Sequence, residues 1–141
     1  MSALDPLASA TRWVAWSNEP RSDKLTKVPY APSGGTARAD DPATWATRVA
    51  AETRAQQLIN GHGAGIGIEL GDLGADTYLG GMDLDSCLNG EACATWAQAI
   101  CDLAQTYAEI SPSGKGLKLF FYLAAEDVRP FLDKIGVPPH Q

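Results

Sequence analysis

The stretch that most constrains this chain is Gly80-Gly81-Met82-Asp83-Leu84-Asp85-Ser86-Cys87-Leu88, near the middle of its 141 residues. Small and apolar residues lead into two aspartates one residue apart. Read as a strand, the stretch sends Asp83 and Asp85 to one face of a sheet and Leu84 to the other. Their Cα atoms then stand roughly 6.5 Å apart. Two ionised carboxylates that close repel, and without compensation one of them tends to keep a proton. A divalent cation removes the conflict, and carboxylate oxygen is the donor that Mg²⁺ and Mn²⁺ prefer. Two solvated acids at a strand end are the plainer reading of an Asp-x-Asp, so the surroundings must decide.

The length suits one domain with a core that needs no staples. No run approaches the ~18 apolar residues of a membrane span, and the first residues lack a charged-then-apolar leader. The expectation is a cytosolic protein with no membrane contact. Cys87, Cys93 and Cys101 match no zinc-binding spacing and read as small packing residues. The net charge of −6 argues against a general nucleic-acid coat, which works by neutralising phosphates. Basic and acidic residues nearly balance up to Asn60, so the acidic excess lies beyond it. An acidic chain can still work on nucleic acid where a few lysines and a metal ion supply positive charge locally.

Along the chain, Arg12 to Trp16 and Val28 to Pro32 predict two short strands around a basic loop. Asp40-Asp41-Pro42 signals a helix start, with the helix running to about Ile59 and stopped by Asn60-Gly61. Gly65 to Leu70 and Tyr78 to Asp85 alternate like strands and predict an antiparallel hairpin carrying the aspartates. From Glu91 to Tyr107, Cys93, Trp96, Ala97, Ile100, Leu103, Ala104 and Tyr107 recur at helical spacing. Strands follow at Ala108-Glu109-Ile110 and Leu117 to Leu123, then a last helix from Ala125 to Ile135 that contains Pro130. This order predicts an α+β fold with a mainly antiparallel sheet and helices packed on it.

Between the last two strands lies Ser111-Pro112-Ser113-Gly114-Lys115-Gly116-Leu117-Lys118. Glycines on either side of a lysine let backbone N–H groups turn toward an anion. Lys115 and Lys118 add charge, and Ser111 and Ser113 add hydroxyl donors. The spacing is not that of a Walker A loop. Alone, the segment fits a plain hairpin turn with solvated lysines equally well. Beside a carboxylate pair, it completes the minimal parts of a phosphoryl-transfer site.

Six pieces occur in order: Arg12-Trp13-Val14-Ala15-Trp16, Lys27-Val28-Pro29-Tyr30, Asp41-Pro42-Ala43-Thr44-Trp45, Gly65-Ile66-Gly67, Met82-Asp83-Leu84-Asp85, and Glu109 to Lys118. Together they resemble the N-terminal catalytic region of phage- and plasmid-type primase-polymerases, of the archaeo-eukaryotic primase superfamily, from about Arg12 to Leu123. The resemblance implies an RRM-like core and template-directed DNA synthesis from nucleoside triphosphates. It implies a single-stranded DNA template and a fused or separate helicase as partners. It also implies that Asp83 and Asp85 hold catalytic Mg²⁺ or Mn²⁺. The family's Ser-x-His motif, which contacts nucleotide phosphates, corresponds to the stretch Ser113 to Lys118, and the candidate nucleotide-binding residues are Ser111, Ser113, Gly114, Lys115, Gly116 and Lys118. Lys118 stands where many members carry histidine, which keeps a point charge for phosphate and loses the titrating imidazole. The family's third acidic ligand has no assignable counterpart, since Asp127 and Asp133 fall in the predicted last helix. The expectation is therefore a single domain over 1–141 that stops before the third acidic motif, either a fragment of a longer polymerase or a short relative without catalysis.

Other residues have plainer readings. Arg12, Lys24 and Lys27 form a loose basic group, either solvated or touching template phosphates. Glu69 could approach the metal if its strand pairs with that of the aspartates. Trp13, Trp16, Trp45 and Trp96 read as core rather than as base-stacking surfaces. His62 and His140 read as surface residues. Two other functional classes stay open: a catalytically dead primase-like module that binds nucleic acid or a replication partner, and a haloacid-dehalogenase-type phosphatase with its nucleophile in Asp83-Leu84-Asp85. The latter places that strand near the start of a parallel fold.

Overall fold

A computed structural model describes residues 4–104 and 106–134. The chain divides into two compact units, Met1–Glu69 and Leu70–Gln141. Each has its own sheet. The fold is α+β, its strand pairs are antiparallel throughout, and the described residues form three α-helices.

In the first unit, β1 (Trp13–Arg21) is the central strand between β2 (Lys24–Tyr30) and β3 (Ala64–Ile68). Its opening run of tryptophan, valine and alanine suits a pleated, half-buried surface, and Trp13, Val14, Ala15 and Ser17 are all buried. Helix α1 (Arg48–Gln57) packs on β1 and β3, burying Ala51 and Ala55. Trp16 lies across β3, where a Cβ at Gly65 would meet its ring at 2.7 Å. That close approach is what the glycine permits.

The helix expected from Asp41 to Ile59 forms only in part. Asp41 caps a short 3-10 turn, Pro42–Thr44, by accepting from the Ala43 N–H at 3.1 Å. The chain then extends, because Trp13 and Ala46 exchange backbone hydrogen bonds at 2.7 and 2.9 Å. Those bonds use the groups a continuous helix would need. Thr47 then caps α1 through its hydroxyl.

In the second unit a four-stranded sheet runs β4 (Gly71–Gly74), β5 (Thr77–Leu84), β9 (Leu117–Ala124), β8 (Tyr107–Ile110). The strand that pairs with the aspartate strand is thus β4, not Gly65–Leu70, which pairs with β1. A tight turn at Ala75 and Asp76, both at positive φ, joins β4 to β5 and leaves the stretch around Gly65 for the other sheet. The expected helix over Glu91–Tyr107 is also shorter. Leu88–Asn89 (β6) folds back on Ala92–Cys93 (β7) around Gly90, whose φ is +62°. Helix α2 then covers Thr95–Ala104, and Tyr107 leaves the helical pattern to pair with Phe120 in β8. Helix α3 covers Ala125–Lys134 and contains Pro130; the expected residue Ile135 lies outside the described residues.

The core of this unit joins Leu84, Cys87, Ala97 and Leu119, with Met82, Leu117, Ile100 and Cys101 packed against it. Helix α2 therefore covers the sheet face that carries Met82, Leu84, Leu117 and Leu119. Phe131 of α3 meets Phe121 on the same face, with ring centroids 5.4 Å apart. Cys93 lies in β7 rather than on the helix. Loss of solvation pushes its thiol up, and the neighbouring sulfurs of Cys87 and Cys101 add to the effect. A thiol held protonated packs rather than reacts.

Leu119 is only 2% exposed at the centre of this core. Leu119→Ala should lower the stability of the chain by about 2–5 kcal/mol, read from the urea midpoint. An unchanged midpoint would contradict the packing described.

Candidate nucleotide and metal site

Strand alternation sends Asp83 and Lys118 to the sheet face opposite α2. In the register of β5 on β9, Asp83 lies directly across from Lys118, and Leu84 from Leu117. In the register of β8 on β9, Glu109 lies across from Lys118 on the other side. One cross-strand row therefore reads Asp83, Lys118, Glu109. The Lys118 Nζ is 3.9 Å from Asp83 Oδ1, with side-chain exposures of 36% and 62%. An ion pair that long and that exposed contributes little to stability. The strand register, not this contact, sets a cationic and an anionic group side by side.

Asp85 lies one residue past the end of β5, in a turn where Ser86 takes a φ of +56°. Alternation therefore fixes the face of Asp83 alone, because the chain leaves the pleat before Asp85. The loop from Ser111 to Gly116 closes against this same strand end. A Cβ at Gly116 would stand 2.9 Å from the Leu84 carbonyl oxygen and 3.6 Å from the Asp85 Cα. The Leu88 N–H donates to the Lys115 carbonyl at 2.9 Å, which ties the loop to the chain just beyond the aspartates. The two stretches singled out in the sequence are thus neighbours in one unit.

The loop is built differently from the expectation of backbone N–H groups turned outward. The Gly114 N–H donates to the Ser111 carbonyl, the Lys115 N–H to Ser113 Oγ at 3.3 Å, and the Gly116 N–H to Ser111 Oγ at 3.1 Å. Ser111 Oγ and Ser113 Oγ are 3.0 Å apart. One hydroxyl proton is used between them, and the other remains to donate outward. The loop therefore presents a serine hydroxyl and the lysine at its tip rather than a cradle of amides.

Other expected residues fall elsewhere. Lys24 pairs across from Arg21, and Lys27 from Asn18. Arg12 precedes β1 at its opposite end, roughly 30 Å from Lys24 along the strand. Its Nε donates to the Glu69 carbonyl at 2.8 Å, and its guanidinium lies 5.3 Å from the Trp45 ring centroid. The Lys27 Nζ sits 4.4 Å over Trp16. The three cations do not converge on one patch; two of them lie on indoles of their own unit. Glu69 belongs to the first unit, where burial raises its carboxyl pKa and Arg12 partly offsets this. Asp133 is paired with Arg129 at 2.6 Å on α3. His140 lies outside the described residues.

The residue missed in the sequence is Glu109. Its carboxylate accepts from the Tyr107 hydroxyl at 3.0 Å. The alternation of Tyr107 and Glu109 against Lys118 and Phe120 would have shown it, had the register been known. Among the described residues, no three histidine, cysteine or acidic side chains gather as a metal cluster.

No family model matches this chain. The chain is similar to a DNA primase-polymerase from Nitratiruptor phage NrS-1, with 33% identity over 119 residues. The likeness covers 82% of this chain and 15% of that protein. The relationship to primase-polymerases is distant and partial. This chain spans about 15% of the relative's length. No described helix is long and apolar enough to cross a membrane.

Gly116 is the contact between loop and strand. Gly116→Ala places a methyl 2.9 Å from the Leu84 carbonyl oxygen and 3.2 Å from Ser111 Oγ. It should destabilise the chain by about 1–3 kcal/mol, read from its denaturation midpoint. Wild-type stability would show that the loop does not close on β5.

Proposed function

We propose that the second unit binds a nucleoside triphosphate with a divalent cation, as part of a nucleotidyl-transfer site for DNA primer synthesis or extension. The observation that carries this reading is the pairing of Asp83 with Lys118 beside the Ser111–Gly116 loop. Carboxylate and ammonium side chains stand together where a metal-bound polyphosphate needs both.

The donors suit Mg²⁺ or Mn²⁺. Asp83 and Asp85 offer hard oxygen ligands, both exposed, and Mg²⁺ takes one or two carboxylates together with substrate phosphates. When bound, such an ion neutralises phosphate charge and makes an attacking hydroxyl more acidic. Lys118, drawn from Asp83 toward the incoming phosphates, places a fixed positive charge on them. Lys115 at the loop tip adds a second. The unshared hydroxyl proton of the Ser111 and Ser113 pair donates to a phosphate oxygen. The single-stranded template, the fused or separate helicase and the RRM-like description of the core follow from the primase-polymerase resemblance and belong to the same proposal.

A second reading has its own support. Lys118 Nζ already stands 3.9 Å from Asp83 Oδ1, and it takes the place where the family's motif carries an imidazole. That suits a unit that binds nucleotide or nucleic acid without turning it over. The phosphatase reading has no such support: both neighbours of β5 run antiparallel to it, so Asp83 does not stand in a parallel sheet.

Calorimetry with dATP separates these. The chain should bind dATP more tightly with Mn²⁺ than without. Asp83→Asn and Asp85→Asn should remove most of that metal dependence, and Lys118→Ala should weaken binding about tenfold or more, the scale of one charge-assisted hydrogen bond. Extension of a primed template by the chain alone should be weak or absent. Absence of dATP binding with and without Mn²⁺ would overturn the proposal.

A further inference from the structure

The sheet face that carries Asp83 and Lys118 continues into an apolar floor. One rung further from the loop, the row reads Gly81, Phe120, Tyr107. The next rung pairs Leu79 with Tyr122. Same-face positions along a strand are separated by roughly 6.5 Å, so Phe120 stands one such step from Lys118 and Tyr122 two. The Phe120 and Tyr107 rings lie side by side, with centroids 6.1 Å apart and planes tilted by 31°. The Tyr107 hydroxyl donates to Glu109, which anchors that ring at its polar end. Leu70 reaches over the row from the side of Gly81, where an added Cβ would meet its Cδ1 at 2.9 Å.

This face is covered at Leu79, which is 2% exposed, and open along its neighbours. Tyr122 is 52% and Leu70 44% exposed, while Phe120 and Tyr107 are half-buried. The helices α2 and α3 pack on the opposite side of the sheet. Apolar surface left in contact with water beside charged groups marks a place where a ligand with both characters docks.

We propose that the floor made by Phe120, Tyr107 and Tyr122 takes the base of the nucleoside triphosphate whose phosphates lie at Lys118. The inference rests on the nucleotide site proposed above and adds the place of the base. The charge order argues for this occupant. A nucleotide is anionic at one end and a flat, stackable ring at the other. This face is cationic next to the loop and aromatic one to two rungs away. Aromatic side chains stack with any base, because every base has a π-face. The floor offers rings and a leucine rather than a set of hydrogen-bonding groups, so the four bases bind with similar affinity and the choice among them is left to a template.

The test compares dATP, dCTP and inorganic tripolyphosphate, each with Mn²⁺, on the full chain by calorimetry. The wild-type chain should bind both nucleotides about tenfold or more tightly than tripolyphosphate, the scale of one stacked base. Tyr122→Ala, at a half-exposed position, and Phe120→Leu, which keeps an apolar side chain, should each remove a large part of that difference. Both should leave tripolyphosphate affinity unchanged, whereas Lys118→Ala should weaken all three ligands together. Circular dichroism confirms that each variant is folded. Equal affinity for tripolyphosphate and nucleotides, or variants that bind dATP like the wild type, would overturn the floor while leaving the phosphate site standing. Variants that lose affinity for a single-stranded oligonucleotide but not for dATP would overturn it in favour of a template surface. Failure to bind any of the three would overturn the phosphate site and the floor with it.

Discussion

The antiparallel register between β5 and β9 is the constraint on which the rest depends. Because side chains alternate along a strand, a slip of one residue would turn Asp83 into the core and bring Leu84 into water. The register is held by what lies on the other face: Met82, Leu84, Leu117 and Leu119 packed with Ala97 and Ile100 of α2. The hydrophobic core therefore does positional work for the chemistry. Burying one face fixes which residues share the other, and Asp83, Lys118 and Glu109 come to stand in one row. The long Lys118–Asp83 contact does not secure this arrangement. It is a consequence of it.

The loop from Ser111 to Gly116 illustrates the same division of labour at a smaller scale. Its serine hydroxyls accept from the loop's own backbone N–H groups, so they shape the turn before they can serve a ligand. Glycine at 116 lets the turn rest on the Leu84 carbonyl. The result is a compact knob carrying lysine at its tip, set against the end of the aspartate strand. Positive charge here comes from side chains that can move, on a backbone that is tied down at Lys115 and Gly116.

Much of this was legible in the sequence, and the reasons for the failures are physical. The strands around Met82 and Phe120 announced themselves by apolar alternation and β-branched or aromatic content. The Asp-x-Asp and the serine-lysine loop each stand out by their chemistry, and it is the pairing of β5 with β9 that makes them neighbours. Which strands pair was not. Gly65–Ile68 reads as the natural partner of Tyr78–Leu84 because it comes just before it, yet β4 intervenes through a two-residue turn at Ala75-Asp76, without the Asn-Gly signal such turns usually show. The helix read from Glu91 to Tyr107 forms only over Thr95–Ala104, with Trp96 50% exposed rather than in the core, since Gly90 and a short hairpin claim one end and pairing with Phe120 claims the other. Glu109 escaped notice because its place beside Lys118 depends on register, which one sequence does not display.

The central claim is that Asp83, Asp85 and the Ser111–Lys118 segment serve one metal-bound polyphosphate. Paramagnetic broadening by Mn²⁺ in amide NMR spectra, recorded with dATP present, reads this directly. The account predicts that substoichiometric Mn²⁺ broadens the amides of residues 83–86 and of 111–118 first and together, while those of the Ala75-Asp76 turn at the other end of β5 stay sharp. Broadening that begins at the acidic start of α3, or at one of the two segments without the other, would contradict it.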